Sequence, residues 1–155
     1  MRQGLRHPLD VAAVLFAVLL ATVALAGCTS YTGSRANQVR EWASIALVSS
    51  NDQLVVQDIA AIKRSLLAKQ FKDVTSNCSG LVFDTGTAYG NLPTPDDTLT
   101  NELNVAYQDF ASAGSSCAAA TSLHSGRIAA ALRTIGAGVV WLDRATRLLA
   151  SDGVH

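Results

Sequence analysis

Asn91-Leu92-Pro93-Thr94-Pro95-Asp96-Asp97 decides the fold, because it is the clearest break in the chain and the residues after it follow a single period. Thr94 reads as an N-cap and Pro95 as the first helical residue, where a missing N–H costs nothing. Asp96 and Asp97 then read as first-turn acids facing the positive end of a helix dipole. Beyond them Leu99, Leu103, Ala106, Phe110, Ala113 and Cys117 recur by threes and fours, with Tyr107 and Gly114 widening the same face. That is the stripe of an amphipathic helix with one side in a core.

The same step continues outward in both directions. Phe71, Val74, Cys78, Leu81, Thr85, Ala88 and Leu92 keep it, although Gly80, Gly86 and Gly90 each weaken a helix interior by up to ~1 kcal/mol relative to Ala. Val55, Ile59, Ile62 and Leu66 predict a helix over 52–70, opened by Ser50-Asn51-Asp52-Gln53 in the form of a capping box. Val39, Trp42 and Ala46 predict a short first helix ending near Ser49. Downstream, Thr121 and Ser122 allow a turn and a new cap. Ile128, Leu132, Ile135, Val139, Leu142, Thr146 and Leu149 then trace the last and strongest stripe, with Gly136 and Gly138 permitting close helix approach or a local bend. No useful period-two alternation occurs. The expectation is all-α: an antiparallel up-and-down four-helix bundle with a short extra N-terminal helix, the Trp42 segment, laid across one end or continuing into the second helix.

The N-terminus carries a different signal. Arg2, Arg6 and His7 are positive, Val11 to Leu25 is free of charge, and Leu25-Ala26-Gly27-Cys28 follows. These are the parts of a secretory signal, and an apolar run of about 15 residues falls short of the roughly 20 that a spanning helix needs. Leu25-Ala26-Gly27-Cys28 resembles the lipobox of bacterial lipoproteins. The resemblance implies export, transfer of a diacylglyceryl group with palmitate-type acyl chains to the Cys28 sulfur, and cleavage between Gly27 and Cys28. On that reading residues 1–27 are a cleaved signal peptide, 28–34 the lipidated cysteine and a flexible tether, and 35–155 the helical domain. The protein would then sit on the extracytoplasmic face of the cell membrane, held by its lipid.

Once Cys28 is thioether-linked, Cys78 and Cys117 are the two cysteines left, in a compartment where disulfides persist. Neither lies in a C-x-x-C motif or beside metal ligands, so a structural Cys78–Cys117 disulfide is expected. It sets the register. Cys117 lies about 22 residues, roughly 33 Å, into its helix, while Cys78 is about 12 residues, roughly 18 Å, from the end of its own. An extended Gly90–Pro95 connection, at about 3.3 Å per residue, covers the difference.

Little in the chain points to catalysis. After residue 27 there are ten Lys or Arg against eleven Asp or Glu, so the charge balance does not suggest nucleic acid. Lys63, Arg64, Lys69 and Lys72 read as a solvated basic helix face. Val82-Phe83-Asp84-Thr85-Gly86 contains the Asp-Thr-Gly of aspartic proteases but has no second copy, and His124 with Ser122 and Ser125 matches no nucleophile elbow. No Glu-x-x-His pair for a di-iron site occurs. Glu102 and Asp109 read as a solvated or hydrogen-bonding edge, and Asp58, bordering an apolar stripe, as a partner for Arg or a backbone cap. No catalytic, metal or cofactor residue is therefore expected. Leu92-Pro93-Thr94-Pro95-Asp96, Leu99-Thr100 and Ala106-Tyr107, with the two cysteines and the Trp42 segment, resemble small uncharacterised lipoproteins and secreted proteins of high-GC Gram-positive bacteria. That resemblance implies a helical bundle, one disulfide and an outer-leaflet location, and carries over no catalytic residue. The function expected is a non-enzymatic interaction or structural module with the membrane and an envelope protein as partners. The alternative is a carrier for a small or apolar ligand between the helices.

Overall fold

A computed structural model describes residues 31–155; Gly27 and Cys28, the expected cleavage and lipidation site, lie outside the described residues. Five helices follow in order: α1 Arg35–Ile45, α2 Val48–Leu67, α3 Phe71–Tyr89, α4 Asp97–Ala118 and α5 Gly126–Ser151. There is no strand among the described residues. α2 to α5 run up and down as a bundle in which each helix packs on the next in sequence, the expected architecture.

The α4 stripe is buried as its sequence predicts, from Leu99 through Leu103, Ala106, Tyr107, Phe110, Ala113 and Gly114 to Cys117. On α3, Val74, Cys78, Leu81, Thr85 and Ala88 are likewise buried. The last helix differs. Ile128, Ile135, Leu142 and Leu149 are buried as expected, but Ala131, Gly138 and Ala145 share the inner face, while Leu132 and Thr146 are exposed and Val139 half-buried. Small residues lie inward there because α4 comes close: a Cβ on Gly138 would stand 2.7 Å from the Phe110 ring.

Two expected boundaries move. α1 stops at Ile45 and α2 begins at Val48, with Leu47 between them at φ +50°, so Ser50-Asn51-Asp52-Gln53 lies inside α2 and is no capping box. The start of α2 has no side-chain cap; Asn51 acts on the preceding helix instead, its side-chain amide donating to the Ala46 carbonyl at 2.9 Å and satisfying the end of α1. The N-cap of α4 is Asp96, not Thr94. Its Oδ1 accepts from Leu99 N–H at 2.8 Å, and Pro95 precedes the helix rather than opening it. Thr94 serves one step earlier, its hydroxyl accepting from Asp96 N–H at 3.0 Å and its own N–H donating to Thr100 Oγ1 at 2.9 Å. Asp96 wins because its carboxylate, 3 % exposed, also pairs with Arg35 of α1.

Of the two placements expected for the Trp42 helix, the structure has it lie across one end of the bundle. Trp42 is buried there and its indole N–H donates to the Asn91 carbonyl at 3.0 Å, Asn91 returns a bond to the Ala46 carbonyl, and Arg40 donates to the Asp152 carbonyl at 2.8 Å. Tyr31 packs on the core just before it, and Ser34 caps it through Asn37 N–H. The chain therefore enters at the end where α3 and α5 finish and α4 starts.

Candidate functional site

Cys78 and Cys117 are joined in a disulfide with α-carbons 5.8 Å apart, at 0 % and 1 % exposure. It staples the first half of α3 to the far end of α4; of the connection expected to be extended from Gly90 to Pro95, Gly90 and Asn91 instead turn back on α3 through N–H bonds to the Gly86 and Ala88 carbonyls, and the irregular chain is Leu92–Asp96. Burial and bonding make the pair structural. His124 is exposed in the loop between α4 and α5, whereas Asp84 lies about 20 Å along α3 from that end of the bundle. The structure does not bring them together.

What it does bring together is carboxyl groups. Asp58 reaches from α2 across Gly80, where a Cβ would stand 3.2 Å from Oδ1, to Asp84 one turn further along α3. Its Oδ2 is buried without a hydrogen-bond partner. The expected arginine or backbone cap is not there; the only ion pair among the described residues is Arg35–Asp96. Burial first, then the hydrogen bond and charge of Asp84, push the Asp58 carboxyl up to about 6. Two carboxyls can hydrogen-bond only if one carries a proton, so protonation of Asp58 favours the contact between α2 and α3.

A second acid sits one and a half turns earlier on α2. The Tyr107 hydroxyl of α4 donates to Asp52 Oδ1 at 2.7 Å. Burial pushes the Asp52 carboxyl up to about 6 even though the Tyr107 bond pulls it down. Tyr107 is driven the same way, upward, by burial, by the Asp52 charge and by their hydrogen bond. The sequence placed Tyr107 in the apolar stripe; the sign that it does more is that a buried tyrosine hydroxyl needs a partner. Glu102, expected at a solvated edge, is half-buried instead, with Oε2 enclosed and unpaired.

Beside Tyr107 a cleft of about 240 Å³ opens between α3 and α4, lined by Thr85, Gly86, Tyr89, Tyr107, Gln108 and Ala111. Its wall is almost wholly apolar. A Cβ at Gly86 would meet nothing within 4 Å, and the Thr85 hydroxyl, 1 % exposed, has no hydrogen-bond partner. Other glycines lie where helices come close: Gly114 is closed by Val82 and the Cys78 carbonyl, and Gly138, expected to permit close approach, by Phe110.

Of these groups Asp52 and Asp58 can exchange protons near pH 6, yet among the described residues no nucleophile with an oriented base is assembled beside them. Among the described residues no three His, Cys, Asp or Glu converge to hold a metal ion, and no helix is long and apolar enough to cross a membrane. No protein-family model, curated protein or solved structure matches the chain.

Proposed function

We propose that this protein is a lipid-anchored, non-enzymatic interaction module on the extracytoplasmic face of the cell membrane. The observation that carries the reading is Leu25-Ala26-Gly27-Cys28 behind a positive, then apolar, N-terminus. The fold is in keeping with it: the disulfide-stapled bundle suits an oxidising compartment, and its buried polar groups hold helices together. Metabolic labelling with an alkyne fatty acid tests the anchor, since wild type should be marked and Cys28→Ala should not; equal labelling of both refutes it. Cross-linking in intact membranes tests the module, and recovery of no envelope partner above background counts against it.

The second reading, a carrier of a small apolar ligand, is favoured by one feature, the cleft at Gly86 and Thr85. Its volume admits a ligand of about one aromatic ring with a single polar group for Thr85. Native mass spectrometry should then show a retained mass that Gly86→Leu expels. A protein free of ligand before and after that change removes the reading.

A further inference from the structure

The near-neutral charge sum conceals a strong polarity that only the topology reveals. At the end of the bundle away from α1, the α2–α3 hairpin brings Lys63, Arg64, Lys69 and Lys72 together, and the start of α5 adds Arg127 and Arg133. All six are exposed, and Asp73 is the one acid among them. Of the other ten acids after residue 27, Asp58 and Asp109 lie near the middle of their helices and eight lie towards the α1 end, with four cations. Helix dipoles favour Arg64, in the last turn of α2, but do not account for the whole arrangement. Lys72 and Arg127 sit in first turns, where positive charge is disfavoured. Arg127 has a local structural partner, the Ala119 carbonyl at 3.1 Å; the side chains of Lys63, Arg64, Lys69, Lys72 and Arg133 form no hydrogen bond or ion pair among the described residues.

Within this basic end lies an apolar groove. α2 and α5 approach each other less closely than consecutive helices do, and between them Lys63, Leu66, Leu67 and Leu132 line a depression of about 550 Å³. Leu67 is 86 % exposed and Leu132 36 %. Two leucines facing water at the mouth of a groove between antiparallel helices, with Lys63 in its lining and the other cations at the same end of the bundle, complement one kind of ligand in both shape and charge. That ligand is an amphipathic helix with an apolar ridge and acidic flanks, the helix-in-groove mode of recognition.

We infer that the α2–α5 groove docks an acidic amphipathic helix of a partner protein. This rests on the interaction-module reading and supplies the chemistry of its partner. A membrane surface fits less well. The leucines line a concavity, and the chain enters at the opposite end of the bundle, a helix length of about 30 Å from the groove and well beyond a Debye length of ~8 Å at physiological salt.

The test uses the full lipidated chain in phosphatidylcholine nanodiscs and a fluorescent peptide of about 18 residues, with Leu at i, i+3, i+4 and i+7 and Glu on the remaining faces. Anisotropy should show saturable binding that weakens about tenfold or more in high salt, with Leu67→Ser, and with Lys63→Glu plus Lys69→Glu. Arg144→Glu plus Arg147→Glu, at the other end, should change it less than about twofold. Leu67 and Lys63 are exposed, and unchanged thermal melting confirms that their variants remain folded. A scrambled peptide of equal charge binding as well overturns the inference. So does stronger capture by phosphatidylglycerol vesicles through the same residues, or self-association of the chain through them. Absence of peptide binding, where cross-linking still recovers a partner, overturns this inference and leaves the module reading standing. Peptide binding as described, where cross-linking recovers none, has the reverse effect.

Discussion

Where α4 packs between α3 and α5, backbone meets side chain with nothing to spare: Gly114 faces Val82 and the Cys78 carbonyl, Gly138 faces Phe110, and a disulfide crosses the first of these contacts. Where α2 packs on its neighbours, carboxyls meet instead. Asp58 shares a contact with Asp84, Asp52 accepts a hydrogen bond from the Tyr107 hydroxyl, and towards α5 an apolar groove is left open. The α4 seams are built for stability. The α2 flank is held by groups that titrate near pH 6 and by incomplete apolar packing, so it is the side of the bundle expected to give way first.

The largest expected effect lies on the α4 side. Replacing both Cys78 and Cys117 by Ala should lower stability by roughly 2–5 kcal/mol, since the bridge closes a loop of 39 residues and the chain-entropy model assigns about 4 kcal/mol to it. Denaturant midpoints of the double variant check this, and a loss below about 1 kcal/mol would mean that the seam does not depend on its staple. Gly114→Ala comes next. Its Cβ would stand 2.8 Å from Val82 Cγ2 and 2.9 Å from the Cys78 carbonyl oxygen, and the latter is backbone tied to the disulfide. The overpacking cost should exceed the helix-propensity gain and leave a net loss of about 1–3 kcal/mol.

The acid pair should break the comparison from the other side. Asp52 and Asp58 have folded-state values near 6, above the ordinary 3.8, so protonation favours the fold. Their contribution is fully present below about pH 4 and is lost as pH rises through 6. Asp58→Asn should therefore raise stability near pH 7.5 by about 1 kcal/mol, discounted for solvent screening, and flatten the profile from pH 4 to 7. A variant that is equally destabilised at both ends of that range would show that Asp58 acts through shape and not through charge. The smallest effect belongs to Gly136→Ala, on the open side of α5 where a Cβ meets nothing within 4 Å, with a gain of about 0.5–1 kcal/mol. Set against Gly138→Ala, it separates propensity from packing in one helix.

These contrasts also show what could be read in advance. The α3 and α4 stripes were legible because large apolar residues and a buried face coincide there, and Cys78–Cys117 because only two cysteines suited a bond. The α5 face was only half legible. Reading by hydrophobicity picks Leu132 and Thr146, whereas close approach selects Ala131, Gly138 and Ala145, and nothing local to α5 announces how near α4 will come. Ser50-Asn51-Asp52-Gln53 looks like a cap but lies inside α2, because Leu47 makes the turn in a left-handed conformation that a leucine does not advertise. The Asp58–Asp84 and Asp52–Tyr107 contacts join residues 26 and 55 positions apart, and so depend on a register that no periodicity encodes. The charge polarity was invisible for the same reason: a sum over the chain erases what antiparallel helices sort into two ends.

Native-state hydrogen exchange on the full chain, at about pH 5 and about pH 7.5, tests the division between seam and flank most directly. Protection factors should be highest along α4 and the facing part of α5, and lower along α2, with the α2 value falling further at the higher pH as Asp52 and Asp58 ionise. Equal protection of α2 and α4 at both pH values, or loss beginning in α4, would contradict it.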